Sequence, residues 1–445
     1  MTTECEYDVG VIGLGYVGLT LSAAMAEVGL KVCGVECRPE VVALTNRGEP
    51  HFSESGLRDS LTRVTRSGAL VAMETLDGAG QCAVYVITVG TPLDAEGNAR
   101  LDMIERASGQ VAAHMPDGAL VILRSTVKIG TARNVVAPIL AASGKSFDIA
   151  MCPERTLEGR AMQELRELPQ IVGADSVATR ERAGALFRKL TQTIVDVSSL
   201  EAAEIVKLVD NTYRDVHFAF ANEVARVCEA FGVNAMEVIG SGKLGYKRTN
   251  VALPGLVGGP CLEKDPHILR QSALTRGIDL EITAASRLVN ERQPAETVDF
   301  VVAEMARRNL PADAVISVLG MAFKGVPATD DLRGAMSLKV VDAIRNKRPE
   351  ARIRLYDPVT PAEALNEVLP QCAVAETMST ALEGAGVAVI ANNHPDLARL
   401  APVEMTRLMT EGGFVYDYWN HFARFQPREL GDSYFSVGNT RGRIA

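Results

Sequence analysis

The sequence predicts an α/β protein with two Rossmann-like domains joined by a long central helix. Three observations predict this class. An apolar strand near the N-terminus leads into a glycine-rich turn and a helix, a helical period persists over 201–231, and apolar strands ending in polar loops resume after Pro311. We expect an N-terminal domain over 1–200, a central helical domain over 201–310 and a C-terminal domain over 311–445.

The bulk composition excludes several classes of protein. The chain of 445 residues carries a formal net charge of -9, so it has no basic surface that would make nucleic acid a general partner. No apolar run reaches the ~20 residues needed to span a bilayer. The eight cysteines are scattered without metal-ligand spacing, and the start of the chain has no signal-peptide pattern. We expect a reduced cytoplasmic protein with no metal and no membrane contact.

The N-terminal stretch YDVGVIGLGYVG predicts a dinucleotide-binding turn. A first glycine makes the tight turn, a second lets the backbone approach a pyrophosphate, and a third lets the helix pack on the strand. The following helix directs its N-terminus at the phosphates. The residues expected at the cofactor are those of the turn: Gly13, Leu14, Gly15, Tyr16, Val17 and Gly18.

An acidic residue follows the second apolar strand. Glu36 lies eighteen residues after Gly18, where a carboxylate binds the adenosine ribose, so the sequence favours NAD over NADP. Arg38 leaves the alternative open, because an arginine at this position accepts a 2′-phosphate.

Polar residues also follow two later strands, CAVYVI and GALVIL. Ligands of parallel sheets bind beyond the carboxyl ends of strands, so we expect Thr91, Pro92 and Thr126 to face the cofactor. Plain loop chemistry is the alternative interpretation.

The stretch GGPCLEKDP indicates a reactive thiol. Gly258 and Gly259 allow a close approach to a ligand, and the nearby Lys264 favours the thiolate of Cys261. A structural cysteine in a glycine-rich turn is the alternative.

Two further pairs of polar side chains lie four residues apart in the chain. Glu154 and Glu158 are four residues apart in MCPERTLEG, either on one helical face or in a loop. Lys207 and Asn211 share a helical face with Glu204 and could form an oxyanion clamp or lie on the surface.

The C-terminal third, which follows the same strand and loop pattern without the glycine fingerprint, predicts a site for a different nucleotide. Lys324 and Arg333 are its candidate phosphate contacts, with solvated loop charge as the alternative.

Eight motifs in order resemble those of the UDP-glucose/GDP-mannose dehydrogenase family over nearly the whole chain: GLGYVG, VGTP, STVKIGT, CPERTLEG, KLVDNTY, GGPCLEKDP, GMAFKGVPATDDLR and YDP. The resemblance implies an NAD domain, dimerisation on the central helix and a C-terminal domain for a UDP-sugar. It also implies that the C6 alcohol of the sugar is oxidised to a carboxylate in two hydride transfers, with two NAD and no free aldehyde.

The resemblance assigns chemical roles to residues of this chain. Cys261 matches the nucleophile that forms a thiohemiacetal and then a thioester, and the glycines before it admit the sugar. Lys207 and Asn211 match the groups that stabilise the oxyanion and bind water.

Further roles follow from the same resemblance. Asp265, Thr126 and Glu154 match positions linked to proton transfer and the hydrolytic water, Glu158 lies beside substrate and cofactor, and Lys264 lies at their junction. Arg248 matches an arginine that reaches the sugar nucleotide, often across the dimer, and Arg333 one near the cofactor phosphates. The remaining substrate contacts are expected at Arg155, Thr156, Leu157, Gly258, Phe323 and Lys324.

Substrate identity stays open. CPERT replaces the NPEFL of the UDP-glucose and GDP-mannose branches and favours a UDP-N-acetylhexosamine, either ManNAc or GlcNAc, whereas Lys264 after the cysteine is typical of UDP-glucose enzymes. YDYWN matches only loosely, so the uracil contacts have no assigned residues. A two-electron dehydrogenase and a non-catalytic nucleotide sensor are the other hypotheses. The presence of Cys261, Lys207, Asn211 and Asp265 argues against the sensor.

Overall fold

The protein is described by a computed structural model that covers residues 5–78, 80–94, 97–423 and 431–440. The chain divides into two compact units. Unit 1 holds the described residues of Met1–Asp210 and His267–Asp279, and unit 2 holds those of Asn211–Pro266 and Leu280–Ala445. The limits of the three domains expected from the sequence stay a prediction that this division does not test.

The strands are β1 (Tyr7–Ile12), β2 (Val32–Val35), β3 (Leu70–Met73), β4 (Cys82–Ile87), β5 (Ala119–Leu123), β6 (Phe147–Met151), β7 (Gln170–Gly173), β8 (Ile194–Val197), β9 (Val315–Leu319), β10 (Arg352–Tyr356), β11 (Ala373–Val374), β12 (Ala385–Ile390), β13 (Phe414–Asp417) and β14 (Tyr434–Ser436).

The α-helices are α1 (Tyr16–Glu27), α2 (Pro39–Asn46), α3 (Leu57–Arg66), α4 (Asp102–His114), α5 (Ala137–Ala141), α6 (Ala161–Glu167), α7 (Val177–Phe187), α8 (Leu200–Ala230), α9 (Ala235–Lys243), α10 (Gly259–Leu262), α11 (Asp265–Leu274), α12 (Glu281–Arg307), α13 (Met336–Lys347), α14 (Ala362–Val368), α15 (Met378–Leu382) and α16 (Pro402–Leu408). A π-helix at Ala132–Val136 precedes α5, and 3₁₀ turns form at Leu76–Gly78 and Pro395–Ala398.

Unit 1 is built on a sheet with the strand order β3-β2-β1-β4-β5-β6-β7-β8. Its neighbouring strands are parallel except β6 and β7, which are antiparallel. Successive residues of β5 enter different apolar clusters, Leu120 and Ile122 in one and Val121 and Leu123 in the other. The sheet is therefore buried on both faces, which explains why its central strands read as continuous apolar runs.

Unit 2 is built on a second parallel sheet, with the order β11-β10-β9-β12-β13-β14. In each sheet the strand order reverses beside the first strand of that unit, next to β1 in unit 1 and next to β9 in unit 2. Ligands of open α/β sheets bind at the carboxyl ends of the strands flanking such a reversal. The two Rossmann-like sheets predicted from the sequence are confirmed.

Helix α8 confirms the predicted long helix. It runs from Leu200 to Ala230, one residue earlier at each end than expected, and Gly232 follows it with a left-handed φ of 66°. The 27-residue helix α12 was not predicted, and it contains Pro294. None of the helices in the described ranges is long and apolar enough to cross a membrane.

Candidate active site

The turn between β1 and α1 has the geometry of a phosphate-binding turn. Gly13 has a φ of 94°, which favours glycine, and its N–H donates to the carbonyl of Val35 at 2.7 Å. A Cβ at Gly18 would collide with the carbonyl of Gly13, so glycine is required there for helix-strand packing. A Cβ added at Gly15 would meet no described atom within 4 Å. Packing among the described residues therefore does not explain Gly15, and the close approach of a pyrophosphate at this position stays a prediction.

Glu36 follows the carboxyl end of β2. It accepts hydrogen bonds from the N–H of Leu14 at 3.1 Å and from Nε of Arg38 at 3.1 Å. Burial raises the pKa of this carboxyl, but its bonds to Arg38 outweigh burial and hold the pKa below its usual value. The carboxylate is therefore ionised at neutral pH and keeps Arg38 beside it.

Tyr16 links the glycine turn to the loop that carries Glu158. Its hydroxyl donates to the carboxylate of Glu54, and the N–H of Gly159 donates to the Tyr16 oxygen at 2.9 Å and to Glu54 at 2.6 Å. Burial, followed by the bond to Glu54, raises the pKa of Tyr16 far above its ordinary value. Tyr16 therefore stays a neutral phenol, a structural role that the sequence did not indicate.

The loops after β4 and β5 are held together by hydroxyl groups. Thr91 donates to the carbonyl of Thr126 at 2.5 Å, Ser125 to the carbonyl of Val89 at 2.7 Å, and Thr88 to the carbonyl of Gly13 at 2.7 Å. These three hydroxyls bind the backbone, and one of them belongs to Thr91, which the sequence predicted at the cofactor. Thr126 is half-buried and lies in the loop that follows the carboxyl end of β5. Its carbonyl accepts the bond from Thr91, the residue before Pro92.

Glu154 lies in an irregular loop after β6, so the helical alternative for this segment is wrong. Its carboxylate accepts a bond from Nε of Arg124 at 3.0 Å and bonds from the N–H groups of Arg155 and Thr156 at 2.7 and 2.8 Å. Burial raises the pKa of Glu154, but Arg124, the Thr156 N–H and the charge of Lys207 outweigh it and hold the pKa below its usual value. Glu154 is a buried, ionised carboxylate.

The partner of Glu154 is a residue that the sequence interpretation missed. The side chain of Arg124 is 1 % exposed, and it also donates to the carbonyl of Cys152 at 3.0 Å and to Gln170 at 2.8 Å. An arginine at the end of the otherwise apolar run GALVIL was the available signal. Buried charges are paired, so this position predicted a carboxylate nearby.

Glu204 connects α8 to the loop that begins at Thr126. The buried carboxylate accepts bonds from the N–H of Gly130 at 2.5 Å and from the N–H of Ala132 at 2.9 Å. Burial raises the pKa of Glu204 to about 7, although both N–H groups lower it. Glu204 lies three residues before Lys207, so the same helical face carries both side chains.

The rest of the CPERTLEG loop is half-buried. The guanidinium of Arg155 donates to the carbonyl of Pro169 at 2.9 Å and reaches Asp210 at 3.4 Å. The N–H of Leu157 donates to Glu164 at 2.7 Å. These bonds hold the segment of Arg155, Thr156 and Leu157 in one irregular conformation.

Cys261 lies in unit 2, in the short helix α10, and its thiol is exposed. Both glycines before it are required by packing against unit 2 itself. A Cβ at Gly258 would lie 2.5 Å from the carbonyl oxygen of Gly334, and one at Gly259 would overlap the ring of Phe323. The glycines thus let two loops of unit 2 pack against the cysteine turn.

Asp265, four residues after Cys261, holds two polar side chains by hydrogen bonds. It is fully buried and accepts bonds from the amide of Asn211 at 2.6 Å and from the ammonium of Lys264 at 2.7 Å. Lys264 was predicted as the cation beside the thiol of Cys261, and its charge is shared with this carboxylate. Asn211 and Lys207 are both buried and lie one turn apart on α8.

The predicted nucleotide contacts of unit 2 lie on exposed or half-buried loops. The ammonium of Lys324 lies 5.2 Å from the centre of the Phe323 ring, and Arg333 forms an ion pair with Asp331 at 2.6 Å. The guanidinium of Arg248 stacks on Tyr246 at 5.0 Å. Between residues 5 and 440, the described segments contain no cluster of His, Cys, Asp and Glu that could hold a metal ion.

The open position at Gly15 and the ionised Glu36 fit a dinucleotide without a 2′-phosphate. The chain is an NAD-dependent dehydrogenase.

Family models identify the family of dehydrogenases to which the chain belongs. The NAD binding domain of the UDP-glucose/GDP-mannose dehydrogenase family matches residues 7–191, its central domain matches 201–292, and its UDP binding domain matches 317–424. The chain belongs to this family, as the sequence motifs predicted.

Individual relatives agree with this assignment. A UDP-N-acetyl-D-mannosamine dehydrogenase of Pyrococcus horikoshii is 34 % identical over 87 % of this chain and 90 % of its own length. A solved structure of the UDP-D-ManNAc dehydrogenase from Pyrococcus horikoshii has a TM-score of 0.86, with 32 % identity over 98 % of this chain and all of that one. A UDP-glucose dehydrogenase structure from Pyrobaculum islandicum has a TM-score of 0.85, with 26 % identity over 98 % of this chain and 99 % of that one.

Proposed function

We propose that this protein is a four-electron UDP-sugar 6-dehydrogenase that oxidises the C6 alcohol of a UDP-hexose to the uronic acid. One UDP-sugar, two NAD⁺ and one water would give one uronate, two NADH and three protons. The observation that carries the proposal is the polar cluster of Asn211, Lys264 and Asp265 in unit 2, in which Lys264 and Asp265 lie three and four residues after the exposed thiol of Cys261. A binding protein has no need of a buried carboxylate that orients an amide and an ammonium there.

NAD supplies the acceptor for each of the two hydrides. The chain would hold it with the residues of the glycine turn, with Glu36 at the ribose, and with Thr91, Pro92 and Thr126 at the next strand ends. Arg333 would lie near the cofactor phosphates, Glu158 beside both cofactor and substrate, and Lys264 where the two meet. The open position at Gly15 supports this arrangement because it leaves space for a pyrophosphate.

The thiol of Cys261 acts after the first oxidation. Its sulfur adds to the C6 aldehyde, and the carbonyl oxygen takes up a proton to give a thiohemiacetal. Loss of a proton and the second hydride gives a thioester. Water then attacks the carbonyl carbon, the C–S bond breaks, and the thiol recovers its proton.

The oxygen at C6 carries negative charge in two of these steps. The ammonium of Lys207 and the amide of Asn211 would stabilise it, since both are buried donors one helical turn apart. Asp265 orients the Asn211 amide, because its carboxylate accepts one of the two amide hydrogens. Glu154, which stays ionised, and Thr126 would orient the hydrolytic water.

The remaining substrate contacts follow the family resemblance. Arg155, Thr156, Leu157, Glu158, Gly258, Phe323 and Lys324 would surround the sugar nucleotide, and Arg248 would reach it from a second copy of the chain.

The favoured substrate is a UDP-N-acetylhexosamine. The CPERT loop and the relatives named UDP-N-acetyl-D-mannosamine dehydrogenases support this choice. UDP-glucose is the second candidate, supported by Lys264 and by the UDP-glucose dehydrogenase relative of similar fold.

The experiment counts NADH formed per sugar consumed, with UDP-glucose, UDP-N-acetylglucosamine, UDP-N-acetylmannosamine and GDP-mannose. Two NADH per UDP-sugar support the proposal, and one NADH with a free aldehyde would establish the two-electron alternative. No turnover of any of the four, with UDP binding retained, would favour a nucleotide sensor.

NAD should be used at least about 100-fold more efficiently than NADP, because burying a 2′-phosphate against the Glu36 carboxylate leaves charge uncompensated. Glu36→Ala should raise kcat/KM for NADP, since it frees Arg38 to bind the phosphate. The nearby exposed acid gives a matched control, Glu40→Gln, which should leave the cofactor preference unchanged. Comparable kcat/KM values for both cofactors in the wild-type enzyme would contradict this prediction.

The part of α8 in unit 2 supports a homodimer. Tyr213, Phe220 and Val227 recur every seven residues, and Phe231 follows one turn later. All four are exposed, with Phe231 80 % accessible. An exposed apolar stripe at heptad spacing is the pattern by which helices pair between subunits.

Sedimentation at micromolar concentration should therefore give a dimer or a higher even-numbered assembly. Phe220→Glu should shift it to the monomer, because a charge in the stripe must be desolvated on pairing. Val403→Glu replaces a similarly exposed residue of α16 and should leave the assembly intact. A wild-type monomer would be decisive evidence against the dimer.

A further inference from the structure

The two units repeat one local arrangement. Gly13 and Gly320 both follow the first strand of their unit and have φ values of 94° and 86°. Each N–H donates at 2.7 Å to the carbonyl of the last residue of the next strand in the chain, Val35 of β2 and Tyr356 of β10. In each unit an acidic residue comes next in the chain after that carbonyl. Glu36 in unit 1 therefore has a structural counterpart in unit 2, Asp357 of the motif YDP.

The counterpart has different partners. Oδ2 of Asp357 accepts the N–H groups of Met321 at 2.6 Å and Ala322 at 3.0 Å. Oδ1 accepts the N–H groups of Val359 and Thr360, each at 2.8 Å. A carboxylate has about four lone-pair sites, and four backbone N–H groups bond to this one, with the amide of Asn392 as a longer fifth donor to Oδ2 at 3.5 Å. In unit 1 the backbone donors to Glu36 are Leu14 and Arg38.

These bonds fix the loop that carries the predicted nucleotide contacts. Met321 and Ala322 directly precede Phe323 and Lys324. The ring of Phe323 in turn fills the space beside Gly259, two residues before Cys261. A displacement of the loop would therefore reach both Lys324 and the cysteine turn within unit 2.

We infer that Asp357 is a positioning residue, which fixes the Phe323–Lys324 loop and does not bind the ribose of the sugar nucleotide. This inference rests on the proposed function for the identity of the ligand. The second Rossmann-like unit then holds its nucleotide without the ribose-carboxylate contact that the first unit uses.

Calorimetry with UDP and 2′-deoxy-UDP tests the inference. Asp357→Asn places an NH₂ group against backbone donors, so it should weaken the binding of both nucleotides by the same factor, about tenfold or more. NAD binding should change less than about twofold. Glu363→Gln removes an exposed carboxylate of α14 and should leave all three affinities unchanged. A loss confined to UDP would mean that Asp357 binds the ribose, and no loss for either nucleotide would mean that it positions nothing; both overturn the inference.

Trp419, the one tryptophan of the sequence, lies in unit 2 and reports on its folding. Its emission maximum should be the same in Asp357→Asn as in the wild-type protein. If that variant does not fold, amide hydrogen exchange of the wild-type chain tests whether Asp357 fixes the loop. The amides of Met321, Ala322, Val359 and Thr360 should exchange as slowly as those of β9, and fast exchange would overturn the inference. A wild-type chain that binds no UDP would refute the proposed function. The exchange measurement would still test whether Asp357 fixes the Phe323–Lys324 loop.

Discussion

Cys261→Ser should lower the steady-state turnover rate by about 10³-fold or more while leaving the fold and NAD binding intact. A serine alkoxide forms far less readily than a thiolate, and an oxygen ester is a poorer intermediate than a thioester. In the proposed mechanism the first hydride transfer does not use the thiol. The variant should therefore bind the UDP-sugar and form at most about one NADH per active site.

Rapid-mixing absorbance measures the NADH burst, and intact mass detects a retained sugar adduct. Cys5→Ser is the matched control, because Cys5 is also an exposed thiol and has no role in the proposed chemistry. It should turn over like the wild-type protein. Continuous formation of uronic acid by Cys261→Ser at nearly the wild-type rate would show that the thioester mechanism is wrong and that the cysteine turn is structural.

Arg124→Ala should lower the free energy of unfolding by about 3–5 kcal/mol, because it leaves the Glu154 carboxylate buried without its cation. Arg133→Ala is the control. Arg133 also bonds two acidic side chains, Asp175 and Glu201, but its own side chain is 43 % exposed. Solvent screens those pairs, so the control should lose about 1 kcal/mol or less per pair. Urea titration followed by far-UV circular dichroism measures both variants.

The loss in Arg124→Ala should also depend on pH in a defined direction. Without the guanidinium, the strongest influence that opposes burial is lost, so the pKa of Glu154 should rise above its value in the wild-type protein. The variant then takes up a proton more readily than the wild-type protein, so its deficit in the free energy of unfolding should shrink as the pH falls from neutral. Equal losses in Arg124→Ala and Arg133→Ala, or a deficit independent of pH, would contradict the assigned pairing.

The features predicted correctly from the sequence are those determined over short distances in the chain. The turn at Gly13 and Gly15, the helix after it and Glu36 lie within one strand-helix-strand segment, where spacing alone fixes their positions. Helix α8 was predicted to within one residue at each end because its apolar period is unbroken and Gly232 stops it. Helix α12 was missed: its apolar residues are not segregated on one face, and Pro294 lies inside it.

The features that were missed depend on contacts distant in sequence. Arg124 and Glu154 are thirty residues apart and meet only because β5 and β6 are neighbours in the sheet. The glycines before Cys261 were expected to admit a sugar, but the side chain and carbonyl that occupy their Cβ positions come from residues more than sixty positions later. No periodicity or spacing within a short segment carries that information.

Two of the buried glutamates of unit 1, Glu154 and Glu204, have opposite effects on stability as pH changes. The pKa of Glu154 is lowered on folding, so its contribution is present above the unfolded value of about 4.3 and is lost as pH falls below it. Glu204 has a pKa raised to about 7, so the folded chain holds its proton more tightly, and stability falls as pH rises from about 4.3 to about 7. The two dependences together should make unit 1 most stable in mildly acidic solution and less stable as the pH rises toward neutral.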